Sequence, residues 1–208
     1  MAKAAADSHA EAVKVLTAFW VEKKPFAIML RNFASESFEV STPVEGKEFP
    51  MRSLIQQSIH AAEEGVRAAI GRLLPLISIS NPTPNWGGGE IPKLEVRNEI
   101  WEAAVKIVIR IAGLIIVKLD GVTEGVLKEL QTIVNEHREF STVVIVSNAM
   151  RDNELAQLLK AAQLAGGRPS DDPSIPRFAF VIDEARLPGK DGEPLEEIRN
   201  LMLLNNLV

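Results

Sequence analysis

The segment from Trp101 to Leu130 constrains this chain more than any other. It reads WEAAVKIVIRIAGLIIVKLDGVTEGVLKEL. Trp101, Ala104, Val105, Val108 and Ala112 fall at helical spacing and predict one amphipathic helix, stopped at Gly113. Leu114 to Val117 is then an unbroken apolar run, the pattern of a strand buried on both faces of a parallel sheet. Lys118, Leu119, Asp120 and Gly121 are expected to carry the chain over the carboxyl edge of that sheet, where open α/β folds place their ligands. A helix, a buried strand and a second helix in such close succession point to an α/β architecture.

The remaining chain extends the pattern. A first helix is expected from Ala4 to Val21, with Val13, Leu16 and Trp20 on one stripe, ended by Lys23-Lys24-Pro25. Strands are expected at Phe26–Leu30, Leu73–Ile79, Leu114–Val117, Thr142–Val146 and Phe178–Ile182. Helices are expected at Met51–Ile70, from Trp101, at Thr123–Glu136, at Asn153–Leu164 and at Leu195–Leu204. Five strand–helix repeats predict a three-layer α/β sandwich, a five-stranded parallel sheet with helices on both faces, and 2-1-3-4-5 is the commonest order for five strands. Residues 1–24 read as a separate N-terminal helix, a stalk or oligomerisation element whose stripe must be buried somewhere. Residues 25–208 read as one domain, and a homo-oligomer is the expected assembly.

Composition removes several function classes. No cysteine occurs in the 208 residues, which excludes thiol catalysis, disulfides and cysteine-ligated metals. A formal charge of -5 without a concentrated Lys/Arg run argues against nucleic acid as a partner. The apolar runs fall far short of the roughly 18 residues that span a bilayer, so no membrane is expected. The start, MAKAAADSHAEAVKVL, carries acids and no long apolar segment, and does not read as a signal peptide. A cytoplasmic domain is expected. His9, His60 and His137 fall on separate elements without metal-ligand spacing, so no metal is expected, and no motif calls for a cofactor.

Polar residues just past the strand ends should converge on one rim: Arg31, Asn32, Ser80, Asn81, Asp120, Ser147, Asn148 and Asp183. The crevice should lie where the chain reverses direction across the sheet, bordered by Arg31, Asp120 and the loop Asn81–Pro92. That loop, NPTPNWGGGEIP, lacks the Gly-Lys-Ser/Thr ending of a phosphate loop and reads as a flap over the crevice. No serine sits in a G-x-S-x-G elbow. The Trp101 stripe reads as core. On position alone, Glu129 reads as a solvated glutamate flanking the buried face of its helix, like Glu136.

Three segments together resemble bacterial TIR-like (Toll/interleukin receptor-like) domains. Lys24-Pro-Phe-Ala-Ile-Met-Leu-Arg-Asn-Phe33 is similar to their P-F-hydrophobic-L-R-x-F opening. The Trp101 helix running into Ala112-Gly-Leu-Ile-Ile-Val117 resembles their central helix and strand. Thr123-Glu-Gly-Val-Leu-Lys-Glu-Leu130 is similar to their S/T-x-G-x-x-W-E-L segment, with Lys128 where the pattern has Trp. The resemblance covers roughly Pro25 to Ser147 and implies a flavodoxin-like sheet, in keeping with the five strand–helix repeats. It implies that Glu129 is the catalytic glutamate of an NAD glycohydrolase, a hydrolase cleaving the nicotinamide–ribose bond. Arg31, Asn32, Asn81, Trp86 and Asp120 would contact the NAD-like nucleotide ligand, with Trp86 or a phenylalanine replacing the tyrosines this chain lacks. Two other expectations stand beside it: a signalling module that works by self-association or partner docking without chemistry, and a domain that binds another small ligand such as a signalling nucleotide.

Overall fold

The computed structural model describes residues 2–31, 63–70, 73–80, 91–119, 121–147, 150, 157–158, 160, 180–189 and 192–207. In chain order the elements are α1 (Ala2–Glu22), β1 (Ala27–Arg31), β2 (Leu76–Ser80), β3 (Lys93–Glu95), α2 (Trp101–Ile111), β4 (Leu114–Leu119), α3 (Glu124–Asn135), β5 (Thr142–Val146), β6 (Phe180–Asp183) and α4 (Glu196–Leu204). Residues 63–70 are also helical, as are 157, 158 and 160.

The sheet is open, six-stranded and parallel throughout, in the order β3-β2-β1-β4-β5-β6. This corrects the expected count of five and the order 2-1-3-4-5. The five expected strands keep their mutual neighbours, and the added strand is β3, at the edge beside β2. Its three residues, Lys-Leu-Glu, follow a proline and offer one apolar side chain, too little for any periodicity to register. A second correction concerns β4, which continues through Lys118 and Leu119 before the chain leaves the sheet. Both residues are buried.

Strand alternation sorts the core into two layers. Ile28, Leu30, Ile77, Ile79, Ile115 and Val117 face one side, covered by α1, α2 and α3. Ala27, Met29, Leu76, Leu114, Ile116, Val143 and Ile145 face the other, covered by residues 66–70 and by Ile198, Leu201 and Met202 of α4. The chain therefore wraps both faces, and its direction across the sheet reverses between β1 and β4. Gly113 makes the tight passage from α2 into β4: a Cβ there would stand 2.6 Å from Leu207 Cδ2.

The inward face of α1 is rotated from the expected stripe. Ala12 is buried, Val15, Leu16 and Phe19 pack on the core, and Val13 and Trp20 are exposed. The Phe19 ring meets Phe26 edge-on at 5.5 Å. The amino-terminal half of α1 covers the outer edge of β3. There the Lys93 N–H donates to Ser8 Oγ (2.9 Å) and the Glu95 N–H donates to His9 Nδ1 (3.1 Å). An uncovered strand edge is a template for further pairing, and these two side chains occupy its donors. Ser8→Ala is expected to lower the unfolding free energy by about 1 kcal/mol, and to speed hydrogen exchange at the Lys93 amide. Unchanged exchange at Lys93 would mean that the bond adds no protection.

Candidate functional site

Two helices bring their amino-terminal halves to the carboxyl edge of the sheet. Helix α2 follows β3 after a short 3-10 turn, and α3 follows β4 directly. Thr123 caps α3: its Oγ1 accepts from the Val126 N–H (3.3 Å), satisfying one of the free donors of the first turn. The apolar face of α3 is Val126, Leu130, Ile133 and Val134, and Glu129 is buried with them.

Between α2 and α3 lies a cleft of about 560 Å³, walled by Trp101, Glu102, Val105 and Lys106 on one side. Glu124, Gly125, Lys128, Glu129, Gln131 and Thr132 form the other wall. Trp101 belongs to both environments, since it packs on the core and lines the cleft. Its sequence reading as core alone is incomplete.

Glu129 lies at the floor, only 5% exposed. Position along the helix suggests a solvated flank residue, whereas the fold buries it beside the cleft that α2 walls from the other side. Its Oε2 has no hydrogen-bond partner. Burial without compensation pushes the carboxyl pKa up to about 8, so the group is chiefly neutral at pH 7. A carboxylic acid in this state can donate a hydrogen bond to a ligand, or ionise when a positive charge arrives beside it.

The cleft mouth is charged. The Lys128 ammonium pairs with Glu124 Oε1 at 3.2 Å and with Glu102 Oε1 across the cleft at 3.4 Å. Hydrogen bonding to Glu124 and then Glu102 raises the lysine pKa above its ordinary value. At the other end of the helix pair, Arg110 holds Glu136 through Nε and Nη2, with the Nη2–Oε1 distance 2.9 Å. The Arg110 hydrogen bond holds the Glu136 carboxyl below its usual range. Glu136 is thus an ion-paired tether, and the two glutamates that sequence position made alike occupy opposite environments.

Of the other expected site residues, Arg31 closes β1 beside Lys118 of β4 in the ladder, at the reversal point. Asn32, Asn81, Trp86 and Asp120 lie outside the described residues. Asp183 caps the turn after β6, its Oδ1 accepting from the Ala185 N–H (2.8 Å), which gives it a local structural role. Lys118, expected only as part of the exit over the carboxyl edge, is 7% exposed and pairs with Glu184 at 3.2 Å. A lysine ending an apolar strand was the available signal. Among the described residues no group of three or more His, Cys, Asp or Glu is placed to hold a metal ion, and no helix is long and apolar enough to cross a membrane.

In comparisons with known proteins the chain matches no protein-family model and no curated protein.

Proposed function

We propose that this chain is a TIR-like domain, built on a flavodoxin-like core with one added edge strand, that binds an NAD-type nucleotide and hydrolyses its nicotinamide–ribose bond. One observation carries the reading. The glutamate singled out by the Thr123–Leu130 motif is buried, unpartnered and on the floor of a cleft wide enough for a ligand. An unsatisfied buried carboxyl is costly to keep, and such groups concentrate at functional sites. The fold agrees in kind: ligands of open α/β sheets sit at the carboxyl edge, on the side of which α2 and α3 begin. Arg31-Asn32-Phe33-Ala34 after β1 contains no glycine-rich turn, so the phosphate cradle of a Rossmann dinucleotide site is missing from that position.

The chemistry asks little of the protein. The C1′–N bond breaks with its electron pair leaving on nicotinamide, which departs neutral. Positive charge develops on the ribosyl C1′ and O4′, and water adds at C1′ and loses a proton. An ionised Glu129 beside that centre stabilises the developing cation. The pyridinium of the bound ligand favours ionisation of Glu129 before the bond breaks, so binding should release a proton.

The test is nicotinamide release by the purified protein beside Glu129→Ala, which should abolish it. Because free Glu129 holds its proton up to about 8, kcat/KM should climb roughly tenfold per pH unit from pH 6 to 7 and level off above pH 8. A profile flat across that range would remove Glu129 from the chemistry.

A second reading has its own observation. Phe140, Leu203 and Leu204 are exposed where the start of β5 meets the end of α4, with Leu204 at 79%. Asn205 Nδ2 donates to the Phe140 carbonyl (3.5 Å), which joins the start of β5 to the end of α4. An apolar surface of this kind suits a self-association or docking module without chemistry. Failure of the protein to release nicotinamide would leave that module as the reading.

A further inference from the structure

We propose that Lys128 is a gate cation for the Glu129 cleft: its ammonium closes the mouth by bridging Glu102 and Glu124, and gives up Glu102 to the anionic group of an entering nucleotide. The proposal rests on the reading of the cleft as a nucleotide site, and it adds a role for a residue at the mouth rather than on the floor.

The two ends of the α2–α3 pair are fastened unequally. At the carboxyl ends, Arg110 grips Glu136 with two nitrogens and Lys106 adds a contact at 3.5 Å. Arg138, itself part-buried, donates to the Arg110 carbonyl (3.2 Å) and to the Ala112 carbonyl, locking the last turn of α2. At the amino-terminal ends, where Trp101 and Val105 pack on the core, the ion pair across the mouth is Lys128 to Glu102, at 3.4 Å between largely exposed side chains. A forked guanidinium–carboxylate contact is strong and directional. An exposed single lysine–carboxylate contact contributes little and is screened by salt.

It follows that the mouth opens first at the Trp101 end, by parting of the Glu102 and Lys128 side chains, while the Arg110 end stays clasped. This motion widens the space above Glu129 without disturbing the clasp. Once Glu102 has moved away, Lys128 keeps Glu124 on its own helix and has donors left over, since an ammonium carries three. A phosphate oxygen entering the mouth can occupy them, while the nicotinamide–ribose end of the ligand passes inward to Glu129. The ligand class is therefore a nucleotide with an anionic phosphate group outside the buried portion.

Two measurements on the full chain test this. The first places a single tryptophan reporter, Trp101, in a Trp20→Phe, Trp86→Phe background, and measures acrylamide quenching. Lys128→Ala should raise the quenching constant about twofold at low salt, and Lys128→Arg should leave it near the parent value. Added NaCl at about 0.5 M, where the Debye length is a few ångströms, should raise the parent to the level of Lys128→Ala and leave that variant unmoved. Equal quenching in parent and Lys128→Ala overturns the gate. The second compares ADP-ribose with nicotinamide riboside, which has no phosphate. Lys128→Ala should weaken ADP-ribose binding about five-fold, the scale of one exposed charge contact, and leave the riboside unchanged. Equal effects on both ligands, or binding of neither by the parent, overturn the exchange. Loss of riboside binding in Glu129→Ala, with no effect of Lys128→Ala on either ligand, would keep the nucleotide reading and discard the gate.

Discussion

Glu129→Gln should stabilise the protein on the order of 3 kcal/mol at pH 8 while making its stability nearly independent of pH between 5 and 8. In the unfolded chain Glu129 loses its proton near the ordinary value of 4.5, whereas the folded chain holds it to about 8. Between those limits the folded state binds a proton that the unfolded state does not. Unfolding free energy in the parent must therefore fall as pH rises from about 4.5 to about 8, and level off beyond. Glutamine keeps the shape of the neutral acid and cannot ionise, so the fall disappears. Urea unfolding at pH 5, 6.5 and 8 reads the effect directly. Parent and variant lines that stay parallel across the three pH values would show that water reaches Glu129 in solution. A residue whose removal strengthens the fold and abolishes activity is one retained for use, and the pair of results together would say so.

Ile116→Ala should act in the opposite direction. Ile116 is fully buried in β4, paired in register with Met29 of β1 and Val143 of β5, at the centre of the face covered by α4. Truncation removes buried apolar atoms and leaves a cavity that three hydrogen-bonded strands cannot collapse around, at a cost of about 3–4 kcal/mol. Against a typical domain stability of roughly 5–15 kcal/mol this is a large fraction. Ile107→Ala, on the exposed side of α2, should change stability by less than about 0.5 kcal/mol. Chemical denaturation midpoints of the two variants separate the cases. Similar losses at both positions would contradict the sheet-centred core.

The parts of the fold legible in the sequence were those whose signal is local. Thr142–Val146 was bounded correctly because five consecutive β-forming residues lie between polar neighbours. Helix α3 was legible from its threonine cap and its repeating apolar face. Strand β3 was not, because a three-residue edge strand acquires its conformation from the ladder with Ser78–Ser80 and from the side chains of α1. The end of β4 was misplaced because a lysine usually marks solvent, and Lys118 is kept in the sheet by Glu184, sixty-six residues away. The same limitation applied to Glu129. Its helix position is marginal, and its burial comes from tertiary packing beside a cleft shared with a helix that starts twenty-eight residues earlier. The resemblance of Thr123–Leu130 singles out the carboxylate; only tertiary packing takes it out of water.

The side chains laid by α1 along β3 link the first turns of the protein to its behaviour in crowded solution. With Ser8 and His9 on the outward amides, the sheet cannot lengthen on that side unless α1 first lets go. Docking of the helix and recruitment of a foreign strand compete for the same two N–H groups. Any modification near the amino terminus that loosens α1 therefore turns a sealed margin into an adhesive one, and would be felt as lost solubility before it was felt as lost fold.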